Sequence, residues 1–232
     1  MKSRLILMAF IVIGLSLWVG YKFKLLERLS NFLNQPLLGK NWQNEVEKQK
    51  YLYTGKKQIV FIGDSHIEQC EWQEVFPQFL IGNRGIGGET SDGLLSRLDQ
   101  AVLPNTSIVV LQIGVNDILS GNKPALLDKN YENILKILKN KGCRTLVTLP
   151  FMTRYYPEKN KEISNSLKSI MAICKRENIL AIDLNPILAP KGELLDSYTI
   201  DGVHLNSKGY KLWIDKLNPL FLKNLKLGSP SK

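Results

Sequence analysis

The pattern of apolar and polar positions changes at about residue 57. Beyond it, five short runs of β-branched and aliphatic residues predict buried strands at 58–62, 79–83, 107–113, 144–149 and 179–184. Between these runs, apolar side chains recur at helical spacing, most clearly over 125–139 and 161–176. A last helix should begin near Ser207 and end where Pro219 interrupts it. Strands that alternate with helices indicate a parallel sheet covered on both faces, so the pattern predicts a three-layer α/β/α domain.

The N-terminus has a different character, because residues 5–21 carry no charge and have basic residues on both sides. Seventeen uncharged residues are at the short end of a membrane span, so we expect a transmembrane helix that is retained as an anchor. A cleaved signal peptide is the alternative, but Trp18 stands two residues before Gly20, where cleavage needs a small residue. Lys2 and Arg4 form a short basic N-terminus, which favours a cytoplasmic N-terminus and an α/β domain outside the cytoplasm.

These patterns divide the chain into four segments. A stretch of mixed composition, with a mostly polar run over 41–50, separates the span from the first strand and indicates a stalk or a peripheral amphipathic helix. The predicted boundaries are 1–24 for the membrane anchor, 25–56 for the stalk or linker, 57–226 for the α/β domain and 227–232 for a polar tail.

Composition and charge narrow the possible partners. With 232 residues, 44% hydrophobic and 22% charged, the chain has the make-up of one globular domain with an appendage. Its net charge of +10 would suit a nucleic-acid partner. However, five basic residues and one acidic residue lie in the first 30 positions, and the remaining charge of +6 is spread without a long basic run. We therefore expect no nucleic-acid partner.

Cysteine and histidine are scarce. Cys70, Cys143 and Cys174 show no paired spacing, which argues against a disulfide framework or a cysteine metal site, although one disulfide remains compatible with the sequence. His66 and His204 are the only two histidines, so a metal site with three histidine ligands is excluded.

Two motifs follow the first two predicted strands, and ligands bind at the carboxyl ends of strands in such sheets. Gly63-Asp64-Ser65-His66 would form a sharp turn that exposes a serine hydroxyl, although the same residues are common in ordinary turns and caps. The second strand leads into the glycine-rich run NRGIGGET. It does not fit a dinucleotide-binding loop, because Thr90 stands where the third glycine is needed. Its glycines can instead present a backbone N–H to an anion.

Two further motifs complete the set. Asn116 in Gly114-Val115-Asn116-Asp117 could donate amide N–H groups to a developing negative charge, or could simply form an Asx turn. In Asp201-Gly202-Val203-His204, the spacing lets the aspartate reach His Nδ1 while Nε2 faces outward. A purely structural histidine is the alternative.

Together these blocks resemble the SGNH hydrolases, the GDSL-like esterases and lipases, over about residues 57–215. The second block is most similar to the branch of platelet-activating-factor acetylhydrolases and lysophospholipase-like enzymes. The resemblance implies a flavodoxin-like five-stranded sheet and acyl-ester hydrolysis without a cofactor or metal. It rests on four blocks: FIGDS with Ser65, NRGIGGET with Gly88, IGVND with Asn116, and DGVHLN with Asp201 and His204.

The resemblance also implies a role for each of these positions. Ser65 would be the nucleophile, His204 the general base and then acid, and Asp201 the group that orients the imidazole. The backbone N–H groups of Ser65 and Gly88, with the Asn116 side chain, would form the oxyanion hole. Independently of the resemblance, a serine, a base, an orienting carboxylate and oxyanion donors are the groups that acyl transfer requires.

The leading functional hypothesis is a membrane-anchored serine esterase that removes an acyl group, such as acetyl, from a lipid or an envelope glycan. An O-acyltransferase with the same triad is the second hypothesis, and a non-catalytic binding protein on this fold is the third. Tyr155 and Tyr156, in the loop at 150–160, would overhang the site and shape an acyl or sugar pocket, or would be ordinary surface aromatics.

Overall fold

The computed structural model of the chain describes residues 40–104 and 106–226. The expected membrane span at 5–21 and the polar tail at 227–232 lie outside the described residues. Within the described part, none of the helices is long and apolar enough to cross a membrane.

A five-stranded parallel sheet forms the centre of the domain, in the order β2-β1-β3-β4-β5. All four pairings are parallel, and Ile59 of the first strand lies opposite Ile81 on one side and Ile108 on the other. The strands are β1 (Ile59–Gly63), β2 (Ile81–Gly85), β3 (Ile108–Gln112), β4 (Arg144–Thr148) and β5 (Leu180–Ile182). Each overlaps one of the five predicted runs, although β2 begins and ends two residues later than the predicted 79–83. The predicted three-layer fold with a five-stranded parallel sheet is confirmed.

The helices connect the strands and cover the sheet. In chain order they are α1 (Lys40–Leu52), α2 (Ser65–Glu68), α3 (Trp72–Val75), α4 (Ser91–Ala101), α5 (Val115–Leu119), α6 (Pro124–Asn140), α7 (Asn160–Arg176), α8 (Asn185–Leu188) and α9 (Ser207–Lys226). Two short 3₁₀ helices lie at Pro157–Lys159 and Asp196–Tyr198. Local sequence accounts for several helix starts: Thr90 caps α4 by accepting a hydrogen bond from the Gly93 N–H, and Pro124 stands in the first turn of α6.

The core lies on both faces of the sheet, and alternate residues of β1 and β3 supply the two faces. Val60 and Ile62 of β1 pack with α4, α6 and α7, whereas Ile59 and Phe61 face the layer that contains α3 and α9. All four side chains are at most 2% exposed. Burial on both faces explains why these strands are continuously apolar instead of alternating with polar residues.

Helix α9 is longer than the sequence predicted. Pro219 was expected to end it, but the helix runs through this proline to Lys226. A proline removes one backbone hydrogen bond, which is tolerable here because Pro219 is exposed and solvent can satisfy the freed carbonyl. Leu217 and Phe221 on the opposite face are fully buried, and their packing holds the helix in place.

Helix α1 lies within the segment that the sequence suggested as a stalk or linker. It contacts α4, and its Gln49 is buried, with 5% exposure. The described part of this segment is therefore packed onto the α/β domain.

Candidate active site

Ser65 is placed at the carboxyl edge of the sheet by the turn that ends β1. Gly63 has φ +148°, and a Cβ there would lie 1.7 Å from the carbonyl oxygen of Gln112, so only glycine fits. Asp64 then caps α2, because its Oδ1 accepts the His66 backbone N–H at 3.0 Å. The glycine and the cap together fix Ser65 as the first residue of α2.

A continuous chain of hydrogen bonds joins Ser65 to the loop that precedes α9. The Ser65 Oγ lies 2.8 Å from His204 Nε2, and His204 Nδ1 lies 2.6 Å from Asp201 Oδ2. The other oxygen of Asp201 accepts the backbone N–H groups of Val203 at 2.9 Å and His204 at 2.7 Å. Two segments 139 residues apart in sequence thus meet in the order serine, histidine, aspartate.

These contacts keep Asp201 ionised. Partial burial alone would raise its pKa, but the hydrogen bonds from the His204 ring and from the two backbone N–H groups outweigh burial and lower the pKa. A carboxylate in this state favours a proton on Nδ1 of His204 and leaves Nε2 as the acceptor that faces Ser65.

Hydrogen bonds tie the loop that carries Gly88 to the turn before Ser65 and to the Asn116 side chain. Gly88 lies in the loop after β2 with φ +73°, and the Ile86 N–H donates to the Gly63 carbonyl at 2.9 Å, which ties this loop to the nucleophile turn. Asn116 Nδ2 donates to the carbonyl of Glu89 at 3.0 Å, which leaves its second N–H for another acceptor. In the described part of the chain, neither the Ser65 nor the Gly88 backbone N–H donates to a protein acceptor.

His66 has a different environment from His204. It is 1% exposed, with Nδ1 3.2 Å from Asp64 Oδ1 and Nε2 3.1 Å from the Val203 carbonyl oxygen. Both ring nitrogens therefore face acceptors other than Ser65, and the ring links the nucleophile turn to the His204 loop.

Sequence reasoning missed the residues that hold Asn116. The adjacent Asp117 is 1% exposed, and it accepts the Ser91 backbone N–H at 2.8 Å and the Ser91 hydroxyl at 2.6 Å. Burial raises the pKa of Asp117, and the bonds from Ser91 oppose that effect. Asn130 of α6 donates to the Ser91 hydroxyl at 3.0 Å. The sequence feature that could have indicated this network is Asp117, an acidic residue directly after Asn116 in an otherwise apolar segment.

The two tyrosines lie on the Asp201 side of the triad. Tyr155 is 68% exposed and packs edge-on against Tyr156, with ring centroids 4.8 Å apart. The Tyr155 backbone N–H donates to the Gly202 carbonyl at 3.1 Å. Tyr155, Ile200 and Asp201 line a cleft of about 510 Å³. The cleft borders Asp201, and neither Ser65 nor His204 lines it.

The three cysteines form no disulfide and are poorly ionised. All three are free, and burial raises the pKa of Cys70 to about 12 and that of Cys174 to about 11. Over residues 40–104 and 106–226, no cluster of three or more histidine, cysteine or acidic side chains is placed to hold a metal ion.

Comparison with known proteins identifies a family and several similar proteins. The family model of the GDSL-like Lipase/Acylhydrolase family matches residues 61–212. The bovine platelet-activating factor acetylhydrolase IB subunit alpha1 is 27% identical over 180 residues, which cover 72% of this chain and 76% of that protein. The crystal structure of an acetyl xylan esterase, AlAXEase, is 25% identical, with a TM-score of 0.61 over 70% of this chain and 98% of that one.

A further relative is similar to this chain over only part of its own length. The N-acylneuraminate cytidylyltransferase of Streptococcus agalactiae serotype V is 25% identical over 146 residues. These residues cover 60% of this chain but only 35% of the relative.

Proposed function

Because the chain belongs to the GDSL-like lipase/acylhydrolase family, we propose that it cleaves an acyl ester with Ser65 as nucleophile, His204 as base and Asp201 as orienting carboxylate. Family membership makes it a carboxylic-ester hydrolase; the roles of individual residues are the proposal. The observation that carries it is the unbroken hydrogen-bond chain from the Ser65 hydroxyl through His204 to Asp201, with distances of 2.8 and 2.6 Å.

The reaction would proceed in two steps. His204 Nε2 takes the Ser65 proton while Oγ attacks the ester carbonyl, and the resulting imidazolium is stabilised by Asp201. The imidazolium then returns the proton to the leaving alkoxide, which leaves an acyl-enzyme on Ser65. Water, deprotonated by the same Nε2, attacks the acyl-enzyme, and collapse of the second tetrahedral intermediate returns the Ser65 hydroxyl and releases the acid.

The negative charge on the tetrahedral oxygen would be held by three N–H donors. They are the backbone N–H groups of Ser65 and Gly88 and the free amide N–H of Asn116. Donors that are fixed before reaction stabilise this charge more than mobile water does, because they need no reorganisation.

The proposed substrate is a short acyl ester, such as an acetyl ester, of a lipid or a glycan. In support, two relatives that carry ester-hydrolase names act on acetyl groups by their names: an acetylhydrolase and an acetyl xylan esterase. The exposed Tyr155 beside the cleft at Asp201 offers an aromatic surface for either class of leaving group.

Labelling with a fluorophosphonate tests the nucleophile. Intact-mass measurement of the protein should show one adduct, which the Ser65→Ala variant should lose. The control variant Ser164→Ala, changed on α7, should label like the wild type. An adduct on another serine, or none in a folded sample, would overturn the assignment.

A further inference from the structure

A buried ion pair stands directly behind the proposed oxyanion donor Gly88. The next residue, Glu89, is fully buried, and its Oε1 accepts Arg97 Nε of α4 at 2.6 Å. Its Oε2 accepts Arg97 Nη2, and Arg97 itself is 2% exposed. Burial raises the pKa of Glu89, and the bonds from Arg97 oppose that rise. A buried pair of this kind is stable only when its remaining acceptors and donors are also satisfied.

Helix α1 supplies two of these partners, and the Arg84 carbonyl, which accepts Arg97 Nη2 at 2.8 Å, supplies a third. Trp42 Nε1 donates to Glu89 Oε1 at 2.9 Å, and Gln49 Oε1 accepts Arg97 Nη1 at 3.0 Å. The Gln49 side-chain N–H group lies 3.4 Å from the carbonyl oxygen of Gly85, to which it donates. Trp42 and Gln49 are two helical turns apart, so one face of α1 reaches both ends of the loop that runs from Gly85 to Glu89.

The same loop carries one proposed oxyanion donor and binds a second. Gly88 lies inside it, and the Glu89 carbonyl accepts the Asn116 side chain at 3.0 Å. A displacement of Glu89 would therefore move the Gly88 N–H and release Asn116 at once. Helix α1 contacts neither Ser65 nor His204 through any side-chain hydrogen bond in the described part of the chain.

We propose that α1, which precedes the family-matched residues 61–212, is part of the catalytic unit and fixes the oxyanion loop, with Trp42 as a positioning residue. This inference rests on the proposed function of Gly88 and Asn116. It assigns a function to a segment whose sequence suggested a stalk or a peripheral amphipathic helix.

The test is the Trp42→Phe variant of the full chain, assayed on 4-nitrophenyl acetate, with active sites counted by fluorophosphonate labelling. Phenylalanine keeps a ring in place but removes the N–H donor to Glu89. Because a small misplacement of catalytic groups is costly, we expect kcat per labelled site to fall roughly 5- to 50-fold with KM nearly unchanged. Gln43→Ala, an exposed position on the same helix, is the matched control and should behave as wild type.

A double variant separates positioning from a general loss of stability. Glu89 positions two proposed donors, the Gly88 N–H and the Asn116 side chain. The Asn116→Ala variant already lacks the second donor, so adding Trp42→Phe should reduce kcat by a smaller factor than in the wild type. An equal factor in both backgrounds, an unchanged kcat, or an effect on KM alone would overturn the role of α1. Absence of labelling at Ser65 in the wild type would instead overturn the proposed function itself.

Discussion

Replacing Asp201 with asparagine changes one atom of the proposed triad and should nearly abolish turnover. Asp201 Oδ1 accepts the backbone N–H groups of Val203 and His204, and these two donors would hold the amide oxygen of the introduced side chain in the same position. The amide NH₂ group must then face His204 Nδ1 and donate to it, so Nδ1 has to be the unprotonated ring nitrogen. The proton moves to Nε2, where it points at the Ser65 hydroxyl and removes the base.

The size of the effect follows from this forced tautomer. A histidine in the wrong tautomer costs roughly 10³- to 10⁴-fold in kcat, which is about 4–5.5 kcal/mol of transition-state stabilisation. Steady-state kinetics on 4-nitrophenyl acetate should show this loss with little change in KM.

The matched control is Asp215→Asn. Asp215 lies on α9, is 55% exposed and pairs with Lys211 instead of a histidine. Its replacement should leave kcat within about twofold of wild type, as expected for a surface ion pair. If Asp201→Asn kept more than about a tenth of the wild-type kcat, the orienting role of Asp201 would be refuted.

Four further predictions concern Asn116, the two histidines, the pH dependence of stability at Asp201, and the N-terminal segment. Asn116→Ala should lower kcat roughly 10²- to 10³-fold with little effect on KM, measured on the same ester. His204→Gln should abolish turnover whereas His66→Gln should retain measurable activity, because both His66 ring nitrogens face other acceptors; the reverse ranking would mean that the triad is wrongly assigned. Folding lowers the pKa of Asp201 from its ordinary value of 3.8, so the ionised carboxylate stabilises the fold at pH values above about 3.8. This stabilisation is lost as the pH falls through the lowered pKa of the folded state. The difference in urea-unfolding free energy between wild type and Asp201→Asn should therefore shrink from about pH 6 to about pH 3. Finally, we propose that the uncharged residues at 5–21 anchor the protein, so N-terminal sequencing of mature protein should begin before residue 5, and carbonate washing should leave the protein on the membrane.

The central strands of the sheet could be predicted from the sequence because burial on both faces leaves β1 and β3 as nearly continuous apolar runs. The run at 58–62 became β1 (Ile59–Gly63), within one residue at either end. Since parallel strands end at one edge, the motifs behind β1, β2 and β3 had to meet there. Local patterns thus sufficed to predict that Ser65, Gly88 and Asn116 follow the carboxyl ends of these three strands.

Contacts between distant segments could not be predicted in this way. Trp42 and Glu89 are 47 residues apart, and no periodicity in either segment indicates that they pair. Helix α1 has a polar sequence, and its position depends on a few specific hydrogen bonds and not on an apolar stripe. The helix that passes through Pro219 is a similar case, because buried packing of Leu217 and Phe221 outweighs the local cost of the proline.

We expect Ser65 to carry the acyl group between the two half-reactions. The most direct measurement is peptide mapping by mass spectrometry after an acetyl ester has been turned over and quenched in acid. An added acetyl group is expected on the peptide that contains Ser65, and on no other peptide. Turnover with the acetyl group on a different residue, or turnover that Ser65→Ala leaves intact, would contradict it.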